Sequence, residues 1–433
     1  MVQEAQSKRD PLMSSRWIIL VALVLSMMAI ANFQYAWTLF TGVVRKEFGA
    51  SLAAVQVTFT LFIAVQTWVV PFVGYLVDRF GARLLMSVAG VIVGASWVWS
   101  SQVHSLSALY ISYAFGGIGV GAVYGASIGI VTKWFPDRRG LCAGLVAGSY
   151  GFGTLFTVLP ISSIIEGAGW RQALFTFGLI SGVLVLLAAQ FVKSPDPAWK
   201  PLGWVPKNTA RVAQSAKSYT PAQMLKTPPF YILYLMMTMV AFGGMMVTAQ
   251  LKPIGSSYGY DKFMVLSMSA VNLALMLDRF LNGFTRPMWG WISDHIGRYN
   301  TMALAFSLES IAIIIFALTI KNPIAFVIMS GMTFFAWGEI YSLFPSAITD
   351  VYGPKYSATN YGIQYTSKGV ATLLAGPGAA LLMEWSGSWL PVLYSAVAMD
   401  LVAAVLAFFW LKPMIKTLLA RREIEGLQAV TGD

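Results

Sequence analysis

The sequence predicts an all-α membrane protein of 12 transmembrane helices in two six-helix halves, with both termini in the cytosol. Three observations carry that prediction. Of the 433 residues, 57% are hydrophobic and only 11% are charged; a soluble globular domain has about 25% charged residues. Apolar runs of about 20 residues, the length that crosses a bilayer as a helix, recur along the whole chain. The second half of the sequence also repeats the first. A β-barrel would need short alternating segments, which this sequence does not have.

The elements follow in chain order. The first 16 residues, MVQEAQSKRDPLMSSR, are polar and lead into a full-length apolar helix. They read as a cytosolic tail and not as a cleaved signal peptide. Apolar segments fall near 17–43, 52–77, 85–103, 107–133, 141–163 and 170–192, giving an N-terminal half over 1–194. Residues 195–229, PDPAWKPLGWVPKNTARVAQSAKSYTPAQMLKTPP, contain no long apolar run. They read as a cytosolic linker, with one short surface helix expected before the seventh span. A second set of segments near 230–254, 263–291, 300–320, 323–349, 357–383 and 388–411 makes the C-terminal half, 230–433 with its short cytosolic tail.

The repeat is visible in the loops and in single residues. GYLVDRFGAR (74–83) matches GWISDHIGRY (290–299) at an offset of 216, and Pro71 matches Pro287 at the same offset. Tyr124 matches Tyr341 at 217, while Gly144 matches Gly362 and Tyr150 matches Lys368 at 218. Two related six-helix halves are the architecture of a secondary transporter whose substrate sits between them near the bilayer midplane.

Lys and Arg set the orientation. With the N-terminus inside, 20 of the 29 basic residues fall on cytosolic segments and six, Arg45, Lys46, Arg171, Lys252, Lys262 and Lys321, on outside loops. Three remain within spans: Arg279, Arg286 and Lys368. The net charge of +11 is therefore an asymmetry between membrane faces, and no nucleic acid partner is implied. One cysteine and two histidines leave no disulfide framework and no Cys/His metal cluster. Neither a cofactor nor a metal is expected, and a histidine-based catalytic triad has almost nothing to draw on.

The paired GYLVDRFGAR and GWISDHIGR loops resemble the signature of the major facilitator superfamily, and KWFPDRRG (133–140) resembles its second signature. The resemblance implies the major facilitator fold. It also implies a conformational role, a charge latch steadying one state, for Gly74, Asp78, Arg79, Gly81, Arg83, Gly290, Asp294, Gly297 and Arg298, with glycine expected where helices approach closely. NFQYAWTLF (32–40), SLAAVQVTFTLF (51–62), VGAVYG (120–125), WFPDRRGL (134–141), TRPMWGWISDHIGRY (285–299) and WGEIYSLFPS (337–346) together resemble the oxalate:formate antiporter family, which is similar in turn to the monocarboxylate transporters.

That resemblance implies carboxylate binding by Arg286, in TRP, and Lys368, in YTSKG. Further substrate-site residues are implied at Gln34, Tyr35, Gln56, Tyr124, Tyr150, Trp337 and Tyr341. Glu339 departs from the pattern, because some relatives carry glycine there. The implied activity is exchange of small carboxylates across the cytoplasmic (inner) membrane by alternating access, oxalate for formate first, by a monomer and with no enzymatic step. Proton-coupled symport of a monocarboxylate such as lactate is the alternative.

The residues support the resemblance on their own chemistry. A charge at the bilayer centre costs about 2.5–3.5 kcal/mol on insertion scales, so each intramembrane cation faces a cavity or a partner. Asp278, Asn282 and Arg286 are spaced by four and share one helix face. A guanidinium fork fits a carboxylate at two points, although a salt bridge within the protein would use it equally well. Tyr361, Gln364, Tyr365 and Lys368 form one stripe at helical spacing. Lys368 lies about eleven residues into its span at about 1.5 Å each, too deep for a surface lysine that merely snorkels. Arg279 is expected to pair with Asp278, Glu339 or Glu309. Asp278 and Glu339 are candidate counter-ions or proton carriers, with Arg279 beside them. Glu309 and Asp400 are given no role.

Overall fold

The computed structural model describes residues 11–135, 139–195, 201, 218–353 and 356–418. The chain is helical almost throughout: α1 Pro11–Tyr35, α2 Trp37–Phe48, α3 Leu52–Phe80, α4 Ala82–Ser101, α5 Leu106–Trp134, α6 Arg139–Phe152, α7 Val158–Ala168, α8 Trp170–Ala189. After the linker come α9 Pro221–Met224, α10 Pro228–Ser257, α11 Ala270–Ile296, α12 Arg298–Thr319, α13 Pro323–Trp337, α14 Ile340–Tyr352, α15 Ser357–Leu373, α16 Ala379–Ser386 and α17 Leu390–Val405. The expected short helix before the seventh span is α9, closed by a capping box between Thr220 and Gln223.

Nine helical stretches among the described residues are long and apolar enough to cross a membrane. The other three expected segments are helical too, but each is interrupted or polar. The fifth breaks into α6 and α7. The eighth, α11, carries Asp278, Arg279 and Arg286. The eleventh passes through a π-helical turn at Leu374–Gly378 that contains Pro377. Lipid-facing positions are apolar, as with Phe72, Val91, Leu187 and Phe409, and polar side chains are turned inward.

One boundary differs from the sequence reading. Residues 263–269 do not belong to the eighth span. They form a tight hairpin in which Met264–Val265 pairs with Met268–Ser269, with Leu266 and Ser267 at φ +47° and +65°. A helix cannot continue through that left-handed turn. Ser269 then starts α11 by accepting the Asn272 N–H at 3.3 Å, as an N-cap serine does.

Helices α3 and α15 pack together, as do α6 and α11, and these two contacts are related by the sequence repeat. A Cβ on Gly362 would lie 2.9 Å from Pro71 Cα, and one on Gly144 would lie 3.6 Å from Pro287 Cβ. Two sets of repeat mates thus meet crosswise. The approach is equally close at Gly148 and Gly151, whose added Cβ atoms would each lie 2.9 Å from Gly283 backbone atoms. Small residues let helices touch backbone to backbone where lipid offers no competing hydrophobic drive.

Hydrogen bonds between the halves gather at the centre and at the end expected to face outside. Gln56 Nε2 donates to Ala249 O at 2.9 Å and to Gln250 Oε1 at 3.1 Å. Thr60 Oγ1 donates to Thr372 O at 2.9 Å, and Glu384 Oε1 accepts the Leu52 N–H at 2.9 Å. The carbonyls Ala375 O and Gly376 O within the π-turn accept from Gln250 Nε2 at 3.4 and 2.9 Å. Irregular backbone inside a membrane is stable when protein groups bond it in this way.

Candidate functional site

Breaks in three helices set the site. The first span kinks at Ala36, between α1 and α2, which puts Gln34 and Tyr35 at an inner helix end. The fifth breaks just after Tyr150, and the tenth breaks at Gly338–Glu339, with Trp337 ending α13 and Tyr341 in the first turn of α14. Arg286 projects from α11 and Lys368 from α15. All of these side chains are buried.

Arg286 donates to Ala147 O at 2.6 Å, to Asn282 Oδ1 at 3.1 Å and to Tyr35 OH at 3.3 Å. Its guanidinium lies 4.4 Å from the centre of the Tyr341 ring, and its Nε has no hydrogen-bond partner. Lys368 Nζ donates to Gln34 Oε1 at 2.7 Å and to Tyr365 OH at 3.2 Å, and it stands 5.7 Å from the same Tyr341 ring. Tyr150 OH donates to Gln34 Oε1 at 3.0 Å. The repeat mates Tyr150 and Lys368 therefore converge on one carboxamide oxygen. The mates Tyr124 and Tyr341 both border Tyr365, at 5.4 and 6.1 Å between ring centres. Trp337 closes the wall, edge-on to Tyr341 at 5.3 Å.

The electrostatics follow from this geometry. Among the described residues no carboxylate lies within 4.0 Å of Arg286 or Lys368. Their acceptors are neutral oxygens, which solvate a cation without cancelling its charge. Two uncancelled cations behind aromatic walls suit a small anion, because phenols donate hydrogen bonds while their rings exclude water.

Arg279 is tied to this centre more closely than its spacing suggests. It pairs with Asp278 at 3.8 Å, one of the partners expected for it. Its guanidinium also lies between the rings of Tyr35 and Phe334, at 4.4 and 4.5 Å. One phenol thus serves both arginines, its face to Arg279 and its oxygen to Arg286.

Two predicted site residues stand apart from the cations. The Gln56 carboxamide is taken up by Trp37 Nε1 at 3.0 Å and by the Ala249 and Gln250 contacts, so it holds the contact between the halves. Glu339 is fully buried at the break of the tenth span, with neither carboxyl oxygen hydrogen-bonded. Sequence reasoning missed Gln66, which donates to Tyr150 OH at 3.0 Å; a lone glutamine within an apolar span was the available signal. It also missed the carbonyl of Ala147, which no side-chain pattern reveals.

The loop motifs are only partly described. The side chains of Asp78 and Asp294 and residues 136–138 of KWFPDRRG lie outside the described residues. Arg298 bonds Asp350 at 3.2 Å, and Arg79 donates to Tyr75 OH at 2.8 Å. The close approach expected at the first glycine of each loop is not found: nothing lies within 4 Å of a Cβ on Gly74, and the nearest atom to one on Gly290 is Ser342 Cβ at 3.7 Å. The demanding glycines are Gly81 and Gly297. With φ of +81° and +89°, each joins two helices through a conformation other residues rarely adopt. Arg83 lines a surface groove beside Gly81 and Lys193.

The sequence matches the Major Facilitator Superfamily profile over residues 19–281 and 266–430. It is 35% identical over 400 residues to the oxalate:formate antiporter of Oxalobacter formigenes, covering 92% of each chain. It is 26% identical to a probable sulfoacetate transporter of Cupriavidus necator, over 86% of this chain and 88% of that one. Mouse monocarboxylate transporter 14 matches at 26% over 39% of this chain and 31% of its own.

Proposed function

The chain belongs to the oxalate:formate antiporter family of the major facilitator superfamily, and we propose that it exchanges small carboxylates across the cytoplasmic membrane, oxalate for formate. The observation that carries this reading is the pair Arg286 and Lys368, buried together against Tyr341 with no carboxylate among the described residues close enough to neutralise either. A dianion placed between them gives each cation one carboxylate. Gln34, Tyr35, Tyr124, Tyr150, Trp337 and Tyr341 complete the cage. The relative from Oxalobacter formigenes supports this choice of substrate by its name.

Exchange follows from charge. Closing a dry cavity around two cations without an anion costs several kcal/mol, so the carrier reorients loaded and not empty. The substrate removes that cost, and the two halves, 1–194 and 230–433, rock about it. In this reading twelve spans cross the membrane with both termini in the cytosol. The hydrogen bonds joining α2 and α3 to α10, α15 and α16 then hold the outer side closed. Gln56 belongs to that closure. Swapping a dianion for a monoanion moves net charge, so exchange is electrogenic.

Counterflow in proteoliposomes tests the proposal: labelled oxalate enters only when formate or oxalate is inside. Robust net oxalate efflux into anion-free buffer would sink obligatory exchange. The second reading, proton-coupled monocarboxylate symport, draws on the buried Asp278–Arg279 pair. It requires uptake that follows an imposed pH gradient with no counter-substrate and that weakens in Asp278→Asn.

A further inference from the structure

The carboxylate site uses neither Glu309 nor Asp400. Both are fully buried, as is Glu339, and none of the six carboxyl oxygens has a hydrogen-bond partner. The three come from different elements: α12, α17 and the break between α13 and α14. Glu309 and Asp400 meet over Gly243 of α10, where a Cβ would lie 2.7 Å from Glu309 Oε1 and 3.5 Å from Asp400 Oδ2. Any side chain at 243 would crowd the Glu309 carboxyl.

Among the described residues the surroundings supply no positive charge. Glu309 feels Asp400 and Glu339, and Asp400 feels Glu339. Helix α13 carries no titratable residue, and α10 carries none between Tyr234 and Lys252. The rest of α12 offers only Arg298 and Tyr299 at its start, where Arg298 pairs with Asp350 of α14. Helix α17 adds only the exposed Tyr394. On α11, Arg279 is paired with Asp278. On α14, Tyr341 faces Arg286.

Three buried carboxyls without a counter-charge call for a positive ligand. Among the described residues no group of three or more His, Cys, Asp or Glu converges as a metal ion would need, which favours the proton as that ligand. We propose that Glu309, Asp400 and Glu339 form a proton-binding site in the C-terminal half, separate from the carboxylate site and joined to it through the break in the tenth span.

The joint is made of named contacts. Gly244, next to Gly243, seats the Trp337 indole; a Cβ there would lie 2.1 Å from the ring. Trp337 stands edge-on to Tyr341 at 5.3 Å, and Tyr341 carries the Arg286 guanidinium on its face at 4.4 Å. Glu339 lies between Trp337 and Tyr341 in the chain, at the helix break itself. Gain or loss of its proton acts on the backbone that holds both aromatic walls. The chemistry is plain acid–base: a carboxylate takes a proton from water and later returns it. Only the coupling rests on the carboxylate-transport reading; the proton site does not.

The experiment uses full-length protein in liposomes and two readouts. Infrared spectroscopy without substrate follows the protonated-carboxyl C=O band through a pH titration. Exchange assays follow labelled oxalate over the same pH range. Glu309→Gln, Asp400→Asn and Glu339→Gln should each remove part of the band. Glu309→Gln and Asp400→Asn should also flatten the pH profile of exchange, while exchange at the optimum stays within about threefold of wild type.

An unchanged band in all three variants overturns the proton site, even if exchange is robust. A band that vanishes when sodium replaces choline at fixed pH overturns it in favour of a cation site. If no carboxylate is exchanged at all, the substrate reading falls, while loss of the band in the variants still upholds the proton site.

Discussion

Lys368→Gln removes a positive charge on which no other charge of the protein depends. The ammonium donates to Gln34 Oε1 at 2.7 Å and to Tyr365 OH at 3.2 Å. Gln34 Oε1 keeps its second donor, Tyr150 OH, at 3.0 Å. Losing two charge-assisted hydrogen bonds costs about 1.5–3 kcal/mol each. Releasing the fold from burying an ammonium returns several kcal/mol. The two effects nearly cancel, so the melting temperature should move by only about a degree, about 1 kcal/mol or less for a chain of this size. Transport should not be spared.

Oxalate loses the partner of one carboxylate inside a dry site, a loss of about 3–5 kcal/mol. At 1.4 kcal/mol per factor of ten, oxalate exchange should fall by roughly 10²-fold to several thousandfold. Formate has a single carboxylate, which Arg286 can hold, and its self-exchange should fall about tenfold or less by the same arithmetic. Counterflow of labelled oxalate and labelled formate into proteoliposomes, with a thermal melt of the same preparation, measures all three quantities. Equal losses for the two anions would refute the division of labour between Lys368 and Arg286. A loss accompanied by a large drop in melting temperature would show that Lys368 holds the fold and not the substrate.

Arg286→Lys should be no milder than a neutral substitution, cutting exchange at least tenfold, about 1.4 kcal/mol. One ammonium cannot reach Ala147 O, Asn282 and Tyr35 at once while lying flat on Tyr341; transport kinetics beside an Arg286→Gln control check this. Gly151→Ala places a methyl 2.9 Å from Gly283 N and should lower the melting temperature by about 1–3 °C, a cost of about 1–3 kcal/mol from overpacking. Gly42→Ala, with nothing within 4 Å, should be neutral in the same melt. Glu384→Gln weakens the anion at the start of α3, where Oε1 accepts the Leu52 and Ala53 N–H groups. At about 0.3–1 kcal/mol for a helix N-terminus, it should raise thiol labelling of a cysteine placed in the outer half of the cavity up to about fivefold. Unchanged labelling would show that this contact does not hold the outer side closed.

The sequence alone was enough for much of the site. Arg286 and Lys368 were legible because a charge inside an apolar span needs a reason. The mates Tyr150 with Lys368, and Tyr124 with Tyr341, were legible because the repeat marks equivalent positions. Polar residues on one helix can be grouped by spacing, but spacing says nothing about which groups on other helices they meet. That is why Arg286, grouped by spacing with Asp278 and Asn282, bonds Asn282 as the spacing allows but also Ala147 O and Tyr35, which spacing could not show. It is also why Gln56 was placed in the site and instead holds α3 to α10.

Glu309 and Asp400 show the same limit from the other side. Ninety-one positions apart in sequence, they carry no shared pattern, and only the packing of α12 on α17, and of α17 on α10, sets them together over Gly243. Composition and hydropathy determined the membrane fold, and with the internal repeat they marked the expected two halves and the candidate cations, because those follow from what a bilayer tolerates residue by residue. The tertiary structure decided the partners. It did so because the breaks at Ala36, after Phe152 and at Gly338–Glu339 turn individual side chains out of their helical register and into a common centre.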